Sequence, residues 1–240
     1  MANGGKRIGA LETTCRILRE MESGDLVSVT DVAARVGVSK GTVHNHLSTL
    51  VANDLAVKRD GQYRLSLRFF EVGNAVRDSY QRDAVIPTID RLAAETNGRA
   101  HFVVHQHDHA FCLHWSGSVD GWDDRSTRIR TPLDETAPGL AILAEYPDER
   151  VRDEVESWDG ETKNRLDEIR GRGYAVGRTV LRNAELRSIA TAIRLDDGVL
   201  GAVSVALDPS QADEDAFTTE FPNRVRKAAN AIKVNSTLSG

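Results

Sequence analysis

The stretch Ser28-Val29-Thr30-Asp31-Val32-Ala33-Ala34-Arg35-Val36-Gly37-Val38-Ser39-Lys40-Gly41-Thr42-Val43-His44-Asn45-His46-Leu47 decides how the rest of the chain is read. Ser28 and Asp31 stand at the spacing of a capping box, so a helix opens there. It carries Val32, Ala33 and Val36 inward and stops at Gly37, where a positive φ ends the turn. Two residues later Ser39 caps another helix, whose apolar face is Val43, Leu47, Leu50 and Val51. Ala33 is small where the two helices cross, and Val43 anchors the second helix to the first.

The neighbouring segments extend this pattern in both directions. Upstream, Ile8, Leu11, Cys15, Leu18 and Met21 recur at three- and four-residue spacing, the mark of a helix ending near Gly24. Downstream, Leu55-Ala56-Val57 leads through Lys58-Arg59-Asp60-Gly61-Gln62 into Tyr63-Arg64-Leu65. Asp60-Gly61 is a strong two-residue hairpin signal. Helix, capped helix, three-residue turn, capped helix and hairpin make a winged helix-turn-helix over residues 1–66. Leu67 to Tyr80 reads as a linker helix with Phe69, Phe70, Val72, Gly73 and Val76 on one side, within a linking segment 67–84. Such a stripe must be buried, against a copy of itself or a neighbouring domain.

Charge supports the same reading once its distribution is considered. The 240 residues hold 31 Lys+Arg and 36 Asp+Glu, a net charge of −5 that by itself argues against a nucleic-acid partner. Residues 1–79, however, carry 11 basic and 9 acidic side chains, so the acidity belongs to the remainder. Between 35 and 68 lie Arg35, Lys40, Lys58, Arg59, Arg64 and Arg68 against only Asp54 and Asp60, a footprint suited to a polyanion.

On the second helix, burial of Val43, Leu47 and Leu50 turns Lys40, Gly41, His44, Asn45 and Ser48 outward, with Thr42 and His46 at the flanks. Asn45 can donate to and accept from adenine, and His44 can donate to a guanine acceptor. Ser39, Lys40 and Thr42 stand at a helix N-terminus that favours a phosphate. Lys58, Arg59 and Arg64 on the wing are expected to grip the backbone or enter a minor groove, with Lys6 and Arg7 as an arm.

From Val85 the pattern changes to an α+β domain, 85–240, with an antiparallel sheet. Helices are expected at 86–96, 136–146, 149–155, 162–172 and 213–238, the last broken into two pieces by Pro222. Strands are expected at 99–104, 110–115, 128–132, 186–194 and 200–207. Five of the seven histidines fall between 101 and 114. A tight turn at His107-Asp108 would set residue 101 opposite 114 and 103 opposite 112. One face would then hold His101, Val103, His105, Ala110, Cys112 and His114; the other, Phe102, Val104, Phe111, Leu113 and Trp115. Three readings of the imidazole face stay open: a solvated or helix-covered sheet face, an effector pocket, or a soft-metal site using His101, His105, Cys112 and His114.

These stretches resemble the IclR family of transcriptional regulators. The resemblance rests on 29–33, 38–44, Gly61-Gln62-Tyr63-Arg64-Leu65 and Glu71-Val72-Gly73. It continues through Pro132-Leu133, Ala137-Pro138-Gly139-Leu140-Ala141, 170–175 and Ala202-Val203-Ser204-Val205, so it covers essentially the whole chain. The run 42–47 is more similar to archaeal members. The resemblance implies a winged-helix DNA reader, a dimerising linker helix and a GAF-like domain for a small organic effector, often a carboxylate. It further implies dimers or tetramers, and a twofold dimer presents its recognition helices ~34–36 Å apart to a palindromic operator on double-stranded DNA.

Departures from the family pattern lie where the effector would sit. After Gly-Tyr-Ala, where the family often has an acidic residue, this chain has Gly177, Arg178 and Thr179. Ser188 stands for a family cysteine, Ser204 for a retained serine, Ala206 for a lost one, and Gly139-Leu140 for a Gly-Lys. Thr136, Ala137, Gly139, Ser188 and Ser204 are the expected pocket lining.

Other classes find little support. No apolar run approaches the ~20 residues of a membrane span, and the start of the chain lacks a signal peptide's apolar stretch. Cys15 and Cys112 offer no disulfide framework. No nucleophile elbow, phosphate loop or zinc-helix motif is present, so a cytoplasmic non-enzyme without cofactor is expected. The alternatives are a constitutive dimeric DNA binder without ligand and a metal-responsive regulator.

Overall fold

The computed structural model describes residues 7–80, 82–119, 130–155, 157–181, 184–211 and 214–238. The chain divides into two units, Met1–Tyr80 and Gln81–Gly240. Lys6 and residues 128–129 lie outside the described residues.

The first unit runs α1 (Gly9–Glu20), α2 (Val29–Val36), α3 (Lys40–Ala52), β1 (Ala56–Arg59), β2 (Gln62–Leu65) and α4 (Arg68–Asp78). Ser28 Oγ accepts the Asp31 backbone N–H at 3.1 Å, and its own hydroxyl donates to the Asp31 carboxylate at 2.7 Å. Asp31 therefore closes its capping box on the Ser28 hydroxyl instead of on the backbone amide. Gly37 ends α2 at φ 73°, with the Val38 amide donating to the Ala33 carbonyl. Val32, Val43 and Leu47 are fully enclosed, together with Ile17 and Met21 of the α1 segment.

The face of α1 differs from the expected one. Ile8, Leu11 and Cys15 are exposed, while the Ile17–Met21 pair one turn apart is buried. Only the C-terminal half of α1 packs against α2, so the earlier apolar positions lie beyond the core. Arg16 fixes this half by donating to the Val36 carbonyl at 3.0 Å. The wing is also better braced than a lone hairpin. Val27 and Tyr63 exchange backbone hydrogen bonds of 2.8 and 2.9 Å, which adds a bridge outside the two strands.

The second unit is α+β, as expected. Its sheet has the order β5-β4-β3-β8-β7-β6, all antiparallel: β3 (Arg99–Gln106), β4 (His109–Ser116), β5 (Arg130–Pro132), β6 (Ala175–Leu181), β7 (Ala184–Leu195) and β8 (Gly198–Leu207). Helices α5 (Arg82–Thr96) and α9 (Glu214–Leu238) pack on one face. Helix α6 (Ala137–Ala144) packs on the other, backed by α8 (Gly160–Arg172), with α7 (Asp148–Glu154) between them in sequence.

Three expectations need correction. Strand β6 was not foreseen: Gly177 interrupts its apolar run, yet its neighbour β7 supplies an unbroken seven-pair ladder. Helix α5 begins at Arg82, four residues before the expected start, and takes Pro87 inside it. Helix α9 is continuous through Pro222. The ring removes a backbone donor at a typical cost of about 3 kcal/mol. Burial of Phe217, Phe221, Val225 and Ile232 along the same helix offsets that loss.

Candidate nucleic-acid interface and effector face

The first unit sets α3 on the core by Val43, Leu47 and Leu50 and caps it with Ser39, whose Oγ accepts the Thr42 amide at 3.0 Å. Ser39, Lys40, Gly41, His44, Asn45 and Ser48 are all exposed, while Thr42 and His46 are half-buried. The free amides of the first turn and the side chains of Lys40, His44 and Asn45 thus share the outward side of one helix. Thr42 turns its hydroxyl onto Ser39 Oγ at 2.8 Å, which assigns it to the cap.

His46 is held by a contact that periodicity does not disclose. Thr14 donates its hydroxyl proton to the Ala10 carbonyl at 3.0 Å and stands 2.9 Å from His46 Nδ1. A hydroxyl has one proton, so Nδ1 is the donor and α1 is tied to α3. On the wing, Asp60 and Gly61 have φ of 50° and 79°, the paired positive values of the two-residue turn expected there. Lys58, Arg59 and Arg64 project from it, exposed, and the Lys58 ammonium lies 5.4 Å from the Tyr63 ring centroid. Arg59 has the Asp60 carboxylate at 3.8 Å, a solvated pair of small worth.

In the second unit, antiparallel partners fix which side chains share a face. His101 pairs with Ser204 and Ser204 with Ala190; Arg99 pairs with Ala206 and Ala206 with Ser188; Gly177 pairs with Ser188. All of these lie on the face covered by α6. A Cβ built on Gly177 would stand 3.2 Å from the Ala137 methyl and 3.1 Å from Ser188 Oγ, so Ala137, Gly177 and Ser188 meet. Thr136 caps α6, its Oγ1 accepting the Gly139 amide at 3.3 Å. Gly139 itself turns toward the Leu133 backbone, where an added Cβ would lie 2.0 Å from a carbonyl oxygen. It serves close packing there.

The histidine face is not the expected one. A bulge follows Phe102, so Val103 faces Cys112 but His101 faces Trp115 and Phe102 faces His114. His114 therefore leaves the proposed set, and its Nε2 lies 3.3 Å from Asp90 of α5. Trp115 moves to the side of His101 and Cys112. His105 is engaged by Tyr146 Oη at 3.0 Å and Glu154 Oε2 at 3.1 Å. Among the described residues, no three His, Cys, Asp or Glu side chains are grouped to hold a metal.

Burial decides protonation on this face. His101, 8% exposed, is pushed down to about 3 by desolvation and by the neighbouring Arg99 charge. Burial also pushes the Cys112 thiol up to about 12, which leaves it protonated and poorly nucleophilic. Tyr146 is likewise raised, chiefly by burial, against the opposing pull of Arg150 above its ring at 3.6 Å. Arg99 was absent from the expected lining. Its signal in the sequence was a charged residue opening a strand that is otherwise apolar, and the bulge concealed the face it shares with Trp115.

Residues 10–60 match the IclR helix-turn-helix domain, and residues 76–234 match the C-terminal domain of the bacterial transcriptional regulator IclR. The glycerol operon regulatory protein of Streptomyces griseus is 27% identical over 147 residues, covering 59% of this chain and 58% of that protein. Its counterpart in Streptomyces coelicolor is 26% identical over 185 residues, covering 71% and 73% respectively. Among solved structures, an IclR homologue from Microbacterium hydrocarbonoxydans complexed with 4-hydroxybenzoate superposes with a TM-score of 0.77. It is 20% identical, over 94% of this chain and 98% of that one, a likeness of fold. With the family's reader domain and its C-terminal domain both matched, and in that order, the chain belongs to the IclR family of transcriptional regulators.

Proposed function

We propose that the chain is a homodimeric, sequence-specific DNA-binding regulator whose operator affinity is set by a small organic effector on the α6 face of the sheet. The observation that carries this reading is α3: capped by Ser39, buried by Val43, Leu47 and Leu50, and exposed along Lys40, Gly41, His44, Asn45 and Ser48. Exposed apolar side chains on both sides of α4 and at its start, Leu67, Phe70, Val72 and Val76, support pairing of two copies. Such a dimer reads a palindrome with half-sites one helical turn apart. Thr136, Ala137, Ser188 and Ser204 support an effector site by sharing one covered face, and the solved homologue with 4-hydroxybenzoate makes that acid a first probe. No described helix is long and apolar enough to cross a membrane, in keeping with work on cytoplasmic DNA.

Two substitutions separate base reading from backbone grip. Asn45→Ala is expected to cost about 1–3 kcal/mol at one base position and to relax preference there. Unchanged preference in a binding-site selection would remove Asn45 from the readout. Lys58→Ala is expected to weaken all sequences alike and to reduce the slope of log affinity against log salt by about 1. A sequence-dependent loss would instead place Lys58 against a base edge. Effector control predicts a shift in operator affinity when 4-hydroxybenzoate or a related acid is added, and identical affinity with a ligand shown to bind would break the coupling.

A further inference from the structure

We propose that His46 is a phosphate contact whose grip on DNA requires a proton, and that Thr14 is the positioning residue that imposes this requirement. The inference rests on α3 as the DNA reader and adds to it a residue and a chemical dependence.

His46 stands on the flank of α3, with Thr42 one turn before it, Thr49 one turn after it and Asn45 beside it. A helix seated in the major groove turns its outward side to the base edges and its flanks to the sugar–phosphate walls. The ring is half-buried, yet its two nitrogens differ in their surroundings. Nδ1 donates to Thr14 Oγ1 at 2.9 Å, because the Thr14 proton is already given to the Ala10 carbonyl at 3.0 Å. Nε2 makes no hydrogen bond among the described residues, and it is not enclosed, so it reaches solvent.

With its single proton held at Nδ1, the neutral ring presents Nε2 as a lone pair. A phosphate diester oxygen also offers only lone pairs, so the two cannot bond until a second proton arrives at Nε2. The imidazolium then donates from both nitrogens, to Thr14 and to the phosphate, and adds a charge that the phosphate attracts. Proton and phosphate therefore bind together.

The charges around the ring leave its counter-ion to come from outside. Helix α3 has no Asp or Glu, and its other ionisable side chains are Lys40 and His44. On α1, Thr14 has Ala10, Leu11, Ile17 and Leu18 one turn to either side. The carboxylates of α1 and α2 are engaged elsewhere: Glu12 lies 3.4 Å from Arg7, Glu20 lies 3.6 Å from Arg35, and Asp31 accepts from Ser28. Arg16 donates to the Val36 carbonyl, while Arg19 and Cys15 are exposed.

The test uses the full-length chain and a fluorescent duplex of about 30 base pairs of mixed sequence, since a phosphate contact needs no operator. Affinity is measured at constant salt at pH 6 and pH 8, on either side of the ordinary histidine value. The unaltered chain is expected to bind about five-fold or more weakly at pH 8 than at pH 6. His46→Gln, whose amide donates without titrating, is expected to lose most of that difference, and His44→Gln to keep it. Thr14→Val lets the neutral ring carry its proton on Nε2, so it is expected to narrow the difference while still binding at pH 8. A difference that survives in His46→Gln, or that His44→Gln removes, overturns the role of His46. One that Thr14→Val leaves unchanged overturns the role of Thr14. Calorimetry of the unaltered chain in two buffers of different ionisation enthalpy needs no variant: net proton uptake on binding at pH 7 is expected, and none overturns the proposal. Equal affinity at both pH values also overturns it and leaves the DNA reader standing, whereas no binding at either pH overturns both.

Discussion

Leu47→Ala is expected to destabilise the first unit by about 2–5 kcal/mol and to remove most operator binding at physiological temperature. Leu47 is fully enclosed between α1, α2 and α3, beside Ile17, Val32 and Val43. Truncation removes the transfer free energy of the side chain and leaves a cavity in a core of few large side chains. Domains hold only about 5–15 kcal/mol in total, so this single loss is a large share. Leu47→Met, which conserves volume, is expected to cost less than about 1.5 kcal/mol. Urea denaturation followed by far-ultraviolet circular dichroism checks the pair. A Leu47→Ala midpoint equal to that of the unaltered chain would contradict the packing described for α3.

The second large effect is a loss of stability in acid centred on His101. Its folded-state value lies near 3 against 6.5 for the free side chain, because burial and Arg99 both disfavour the imidazolium. The unfolded chain therefore binds the proton first. Stability from the neutral, buried ring is complete above about pH 6.5 and is lost progressively as pH falls toward 3. Each pH unit between those values removes about 1.4 kcal/mol, so pH 4 costs roughly 3 kcal/mol relative to pH 7. His101→Gln removes the titration and is expected to flatten that limb of the stability curve, whatever it does to the plateau. Denaturation midpoints from pH 7 to 4 for both chains give the comparison. Parallel curves would show that His101 is not the group that titrates.

Much of the first unit was legible because its determinants are local. Ser28, Gly37, Ser39 and the Asp60-Gly61 turn each act within four residues, and each does in the structure what its residue type requires. The α1 face was misread because periodicity names an apolar stripe without saying how much of it finds a partner. Ile8 and Leu11 continue the pattern past the end of the core.

In the second unit the elements were legible where apolar runs are strong, and the relations between strands were not. One bulge between Phe102 and Val103 exchanged His114 for Trp115 on the inward face, since a one-residue slip reverses every later side chain. Strand β6 depends on pairing with β7 more than on its own residues. Helix α9 passes Pro222 because tertiary burial outweighs local preference. Of the expected pocket residues, Thr136, Ala137, Ser188 and Ser204 share the α6 face, while Gly139 packs on Leu133. Arg99, a charged member of that face, became visible only through the ladder that sets it beside Ala206.

The central claim, a paired reader of specific DNA, is tested most directly by selecting binding sites from a pool of random duplexes with the full-length protein at physiological salt. The account predicts enrichment of an inverted repeat with half-site centres about 10–10.5 base pairs apart, or a whole multiple of that turn. Enrichment of no sequence above the starting pool, with binding that follows salt concentration alone, would contradict it.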